Sequence, residues 1–189
     1  MIRIGIVGDI GSGKSHVAKN FGFPVFNADE EVDKLYKNNK IIFNKLKKSL
    51  SKYIFSFPVN KNEISKAILD NQFNIYKILK IIHPEVRKKM NFFLKKNKNK
   101  KIIVLDIPLL LENKINKKND ILIFVKSKKL DISKRLRKRE NFNPKLLRKF
   151  KNNQLSIDYK EKRSQFVIKN NFTNKSVNKD IKKILRGIL

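Results

Sequence analysis

The chain contains no cysteine. Disulfides, thiolate metal sites and a cysteine nucleophile are therefore excluded. No apolar run approaches the roughly 18 residues of a membrane span, so no membrane partner is expected. The N-terminus opens directly on strand-like sequence, so no signal peptide is expected ahead of the fold and a cytoplasmic setting is. Acidic residues are scarce: 16 Asp and Glu stand against 46 Lys and Arg, a formal net charge of +30. Arginine is scarce too, eight of those 46. Lys, Asn, Ile and Phe dominate, the residues of A/T-rich codons. The cations are spread along the whole chain, and the Phe residues sit at apolar-looking positions. A dedicated nucleic-acid binder concentrates its charge on one face. Compositional drift is thus preferred to a nucleic-acid partner, with affinity for phosphorylated ligands raised and dependent on salt. There is no internal repeat and no disordered linker.

What is present fits one α/β domain with an inserted or appended subdomain, at 189 residues and 40% hydrophobic content. The clearest stretch is 2–15. Ile2 to Val7 reads as a buried parallel strand, and GDIGSGKS follows from Gly8. This fits G-x-x-x-x-G-K-[ST], with Gly8, Gly13, Lys14 and Ser15 in the fixed places, and a helical stretch from Val17 to Phe21 comes next. Backbone N–H groups of such a loop and the helix N-terminus form a concave anion site. Lys14 can reach the β- and γ-phosphates, and the Ser15 hydroxyl can ligate Mg²⁺. A plain glycine turn is the alternative.

Phe23 to Asn27 reads as a second strand and Glu30 to Tyr36 as the helix after it. Ligands of open α/β sheets lie outside the carboxyl ends of the strands. Asp29 falls there, either accepting a proton from an attacking hydroxyl or capping the adjacent helix; both roles stay open. Residues 38–100 carry helical spacings and no strong strand signal. Ile41 to Leu50 and Asn62 to Leu69 read as helices. A longer pattern runs from Ile75 to Leu94, with Pro84 expected to start or kink a helix. That length exceeds an ordinary crossover and predicts a helical insertion covering a substrate. His83 touches substrate or is a buried or capping histidine, and Arg87 shares its helix face.

Lys101 to Asp106 is a third strand, ending in a carboxylate placed for Mg²⁺ or for a strand-end turn. Ile107 to Glu112 continues at the same edge, and Asp120 to Val125 is a further strand. A helix is expected over Leu130–Arg139, with Arg135 and Arg139 on one face, as a polyphosphate clamp or a solvated basic face. Asn143-Pro144 opens another helix, continued by Leu146, Leu147, Phe150 and Gln154. Lys160, Lys162 and Arg163 form a charged segment, Phe166 to Ile168 a last strand, and Ser176 to Leu189 a closing amphipathic helix.

In this order, GIVGDIGSGKS, PVFNADE, HPEVR, VLDIPLLLE, RLRKRE, Gln154 ahead of Lys160 and Arg163, and FVIKNN resemble the dephospho-CoA kinase family over nearly the whole chain. The resemblance implies a three-layer α/β phosphate-loop kinase core with a five-stranded parallel sheet. The core would span 1–37 and 101–189, including a helical lid at about 139–163, and 38–100 would be the helical CoA-substrate-binding insertion. It implies ATP-dependent phosphorylation of the ribose 3′-hydroxyl of dephospho-CoA, with ATP and Mg²⁺ as cofactors and a monomer or weak homo-oligomer. The alternatives are another small-molecule or nucleoside monophosphate kinase of the same fold, or a basic nucleic-acid-binding protein.

By the resemblance, Gly11, Ser12, Gly13, Lys14, Ser15 and His16 wrap the ATP phosphates. Asp29 is the catalytic carboxylate, and Lys14 is catalytic with it. Arg139 and Asn170 are nucleotide-side residues. His83, Arg87, Arg135, Lys160 and Arg163 are substrate-side residues, and Ser15 and Asp106 serve the metal. The chain departs from the family at Asp9 for Gly, His16 for Thr, Asn27 for Asp, Glu161 for a basic residue and Lys169 for Asp. These departures bear on affinity and turnover more than on reaction type.

Overall fold

The computed structural model describes residues 1–140 and 142–189. Five parallel strands form one sheet in the order β2-β3-β1-β4-β5. They are β1 (Ile2–Gly8), β2 (Val25–Asn27), β3 (Ile102–Asp106), β4 (Ile121–Lys126) and β5 (Phe166–Lys169). β1 lies at the centre, with Ile4 opposite Val104 on one side and Ile121 on the other. Strands buried on both faces read as continuous apolar runs, which is why IGIV, IIVL and ILIFV carry the fold so plainly.

The helices are α1 (Lys14–Asn20), α2 (Ala28–Asn38), α3 (Lys40–Ser49), α4 (Lys61–Asp70), α5 (Asn74–Lys96), α6 (Lys129–Arg137), α7 (Pro144–Asn152), α8 (Ile157–Lys162) and α9 (Asn174–Ile188). On one sheet face, Val17, Ala18 and Phe21 of α1 and Val177, Ile181 and Ile184 of α9 pack on Ile4, Ile6, Val104 and Ile123. On the other face, the segment after β3 crosses the sheet closely. A Cβ placed on Gly5 would come within 2.5 Å of Leu110 Cδ2. Only glycine leaves Leu110, 1% exposed, its seat over β1.

The chain divides into two compact units. The first comprises residues 1–27, 97–142 and 153–189 and holds the sheet. The second comprises 28–96 and 143–152. It therefore holds α2 to α5 together with α7. Its own core joins Leu35, Ile42, Leu46, Ile54, Ile68, Ile75 and Ile82, with Leu146 of α7 packed against them. Lys149 Nζ donates to the carbonyls of Ile68 and Leu69 at 3.0 and 3.1 Å. A cation there meets the negative end of α4.

Three local expectations change. α5 runs unbroken through Pro84, which neither starts nor ends it. α6 stops at Arg137, so Arg139 lies in the following turn and does not share a helix face with Arg135. Its N–H bonds the Leu136 carbonyl at 3.1 Å. α7 ends at Asn152, before Gln154. The expected lid range includes residue 141, which lies outside the described residues.

Candidate active site

The first unit holds the glycine loop. β1 ends at Gly8 and α1 begins at Lys14, so the glycine loop turns between them at the carboxyl end of the central strand. Gly11 and Gly13 have φ of 84° and 89°, a region that side chains rarely tolerate. A Cβ on Gly13 would also strike Asn170 Nδ2 and approach the Phe172 ring to 3.2 Å. The loop is fixed from outside at one atom. The Ser12 carbonyl accepts from Asn170 Nδ2 at 2.8 Å and from Ser127 Oγ at 2.9 Å. Ser127 follows β4 directly. The strand-end rule that singles out Asp29 and Asp106 could have found it, and the sequence reading omits it.

Lys14 Nζ lies along the loop, donating to the carbonyls of Asp9 at 2.8 Å and Gly8 at 3.3 Å. The ammonium is thus held against the loop backbone, within the segment whose N–H groups can meet an anion. Asp9 turns its carboxylate back on its own loop: Oδ1 accepts the Ile10 N–H at 2.7 Å. Ser12 is 1% exposed and its Oγ makes no hydrogen bond. Ser15 is exposed on the first turn of α1. His16 Nε2 lies 3.4 Å from the Asn20 amide nitrogen on the same helix.

Asp106, at the end of β3, is 3% exposed. Asn27 pairs with it in register and donates from Nδ2 to Asp106 Oδ2 at 2.9 Å. The departure from Asp at position 27 therefore supplies a hydrogen-bond donor to a buried carboxylate. Asp29 follows two residues later, exposed in the first turn of α2 with Glu30 and Glu31.

Arg135 stacks its guanidinium 4.3 Å from the centroid of the Phe172 ring. Phe172 has a φ of 65°, rare for a bulky side chain. Its N–H is held by Asn170 Oδ1 at 2.8 Å. Thus Asn170, Phe172 and Arg135 form one cluster behind Gly13, and Phe172 is a member that the sequence reading missed. Arg163 is exposed, beside Glu112, Lys114 and Tyr159 in a cleft of about 410 Å³. Lys160 lies behind that lining: it is 2% exposed, with Nζ 2.8 Å from Glu112 Oε1. Glu161, which replaces a basic residue, pairs with Lys126 at 2.8 Å.

In the second unit, His83 and Arg87 lie one turn apart on α5. Burial pushes the His83 pKa below its usual value, and Arg87 pushes it the same way. The ring is thus neutral at pH 7 and offers one N–H and one acceptor. A cleft of about 780 Å³ in this unit is lined by Lys34, Lys37, Lys40 and Lys89, with Phe57 at its wall. Among the described residues no group of three or more His, Cys, Asp or Glu side chains is placed to hold a metal. No described helix is long and apolar enough to cross a membrane.

A parallel sheet in this order, with a glycine phosphate loop closing its central strand, defines a phosphate-loop kinase fold. The chain belongs to the dephospho-CoA kinase family, whose model matches residues 2–176. Dephospho-CoA kinase of Wolbachia pipientis wMel is 33% identical over 190 residues, covering 98% of this chain and 97% of that protein. That of Bartonella henselae is 34% identical over 177 residues, covering 87% of each. Among solved structures, dephospho-CoA kinase from Campylobacter jejuni superposes with a TM-score of 0.63 at 20% identity, over 98% of this chain and 96% of that one. TT1252 from Thermus thermophilus gives 0.76 at 22% identity, over 100% and 98%. These two structures support the fold.

Proposed function

We propose that the protein transfers the γ-phosphoryl group of ATP to the ribose 3′-hydroxyl of dephospho-CoA, releasing ADP and coenzyme A. The observation that carries this reading is a family match over residues 2–176 in a chain that keeps the complete phosphate loop. The 3′-oxygen attacks the γ-phosphorus as the bond to the ADP oxygen breaks, and Asp29 takes or orients the hydroxyl proton. Such transfers are mostly positioning and charge neutralisation. The backbone of Gly11 to His16 and the Lys14 ammonium hold the phosphates. Arg139 and the Asn170 segment serve the nucleotide side, and Arg135 the substrate side. His83, Arg87 and Arg163 meet anionic parts of the acceptor, with 38–100 as the acceptor-binding part and about 139–163 as the lid.

Ser15 and Asp106 offer one hydroxyl and one carboxylate, an oxygen-only pair that suits Mg²⁺. Bound there, Mg²⁺ would neutralise charge on the β- and γ-phosphates. A cytoplasmic monomer or weak homo-oligomer, with no dedicated nucleic-acid partner, completes the reading.

A coupled ADP-release assay tests it. Dephospho-CoA should be turned over in preference to nucleoside monophosphates. Lys14→Ala should abolish turnover, and Asp29→Asn should lower kcat by roughly a hundred-fold or more. Full activity of Asp29→Asn would remove Asp29 as the base. A preference for nucleoside monophosphates would replace the acceptor.

A further inference from the structure

Lys160 is the one buried lysine among the described residues, in a chain with 46 Lys and Arg in all. Burying an ammonium is costly unless it is paired and hydrogen-bonded. Both conditions are met. Lys160 Nζ lies 2.8 Å from Glu112 Oε1 and donates to Gln154 Oε1 at 3.0 Å. Glu112 Oε1 also accepts the Leu155 N–H at 3.1 Å. One carboxylate oxygen therefore holds both ends of the stretch from Leu155 to Lys160. Within that stretch Ser156 caps α8, taking the Tyr159 N–H at 3.2 Å.

α8 is in turn tied to the phosphate loop. Ser164 Oγ donates to the Lys160 carbonyl at 2.8 Å. The Gln165 side chain accepts the Leu122 N–H at 2.7 Å, setting the start of β5 against β4. β5 ends one residue before Asn170, whose amide holds the Ser12 carbonyl. Every link lies in the first unit. The Lys160 side chain is 2% exposed and that of Glu112 11%, so a phosphate oxygen reaching Lys160 from the cleft would have to displace the Glu112 carboxylate.

We propose that Glu112 is a positioning residue of the kinase, and that Lys160 acts through it. The pair seats α8 and β5, and so sets Asn170 against the phosphate loop and Arg163 in its cleft; Lys160 itself touches no substrate. This inference rests on the kinase reading above and refines it at one residue.

The test is a double-mutant cycle of Glu112→Gln, Lys160→Met and the double variant in the full chain. ATP dissociation constants, kcat and KM for both substrates, and amide exchange over residues 164–173 are measured together. Each single variant should weaken ATP binding by about ten-fold and speed exchange over 164–173. The double variant should be no weaker than the worse single one, because members of one unit are non-additive. Its neutral pair also keeps the test open if a single variant with a stranded charge fails to fold.

Two results would overturn the proposal. One is loss of turnover in Lys160→Met with wild-type kinetics in Glu112→Gln, which makes Lys160 a substrate contact. The other is a lowered melting temperature with unchanged ATP affinity and exchange in every variant, which makes the pair merely structural. If the wild-type protein fails to turn over dephospho-CoA, the acceptor assignment falls. ATP affinity and exchange still decide the role of the pair.

Discussion

Asp9 puts a carboxylate into a loop that receives phosphates, and its geometry has a measurable consequence. Its Oδ1 takes the Ile10 N–H, and its carbonyl takes Lys14 Nζ. The side chain thus withdraws one loop amide from an incoming anion and adds a negative charge beside it. Removing both effects should favour the nucleotide by about 1 kcal/mol, the scale of a partly exposed charge interaction. Asp9→Gly is therefore expected to lower the KM for ATP by about five-fold, with kcat near the wild-type value. The carbonyl that holds Lys14 survives the substitution. An unchanged or raised KM would instead make the Asp9–Ile10 turn part of the shape that binds ATP. Asn27 shows the limit of reading one residue alone. In sequence it is a missing carboxylate; in the fold its amide donates to buried Asp106. An Asp in that place would replace this donor by a second carboxylate facing Asp106, a like-charge contact that needs a cation or a proton between the two.

At the scale of elements, α5 carries a pH dependence because Pro84 does not break it. Pro84 has no N–H, so the helix forgoes one main-chain bond there. Ile75, Ile78 and Ile82 anchor the helix in the second unit's core and offset that loss. With the helix continuous, His83 and Arg87 stay one turn apart on one face. Burial, and then Arg87, lower the His83 pKa from 6.5 in the folded chain. Below that pH the unfolded chain binds the proton more readily than the folded one, so stability rises with pH in this window. The contribution is fully present above about pH 6.5 and is lost as pH falls through the folded value. Thermal unfolding from about pH 5 to about pH 8 should give a shallower acid-side slope for His83→Gln than for wild type. Equal slopes would mean that His83 keeps its ordinary pKa.

The same scale shows what could be read from the chain. β1, β3 and β4 were plain because their apolar runs are buried on both faces, while the edge strands β2 and β5 are short and only partly buried and were read from their apolar residues between turn signals. α7 announced itself through Asn143, whose Oδ1 caps the Leu146 N–H, and through Pro144 in the first turn. The end of α6 was hidden, since a run of basic residues carries no stop signal and Arg139 looks like more helix. α8 was hidden because its buried residue is Lys160, which breaks the apolar pattern. In the site, the loop glycines with positive φ were legible as a local motif. The clamp on the Ser12 carbonyl was not, because Ser127 and Asn170 reach it from more than a hundred residues away.

For the whole molecule the open question is what a formal net charge of +30 does. The cations are spread over every helix, while β2 and β3 carry none; α9 alone carries Lys175, Lys179, Lys182, Lys183 and Arg186, while α5 carries Arg87, Lys88, Lys89, Lys95 and Lys96 among others. Charge spread this way is not gathered on one face, although four lysines line the cleft of the second unit. It raises the local concentration of any polyanion, and it repels itself. Both effects are screened within about 10 Å at 0.1 M salt. ATP and dephospho-CoA are polyanions, so their attraction to the surface should fade with salt while chemistry within the site is less exposed to it. Raising KCl from about 50 mM to about 500 mM should therefore increase KM for both substrates several-fold with kcat held within about two-fold. The melting temperature should rise over the same range, because screening relieves self-repulsion in the compact state more than it weakens the few ion pairs. Steady-state kinetics and thermal unfolding over one salt series read both. A fall in kcat that outweighs the change in KM would move the charge from the surface field into the catalytic step. Retention of RNA on a filter at physiological salt, tighter than that of ATP, would give the basic surface a partner of its own.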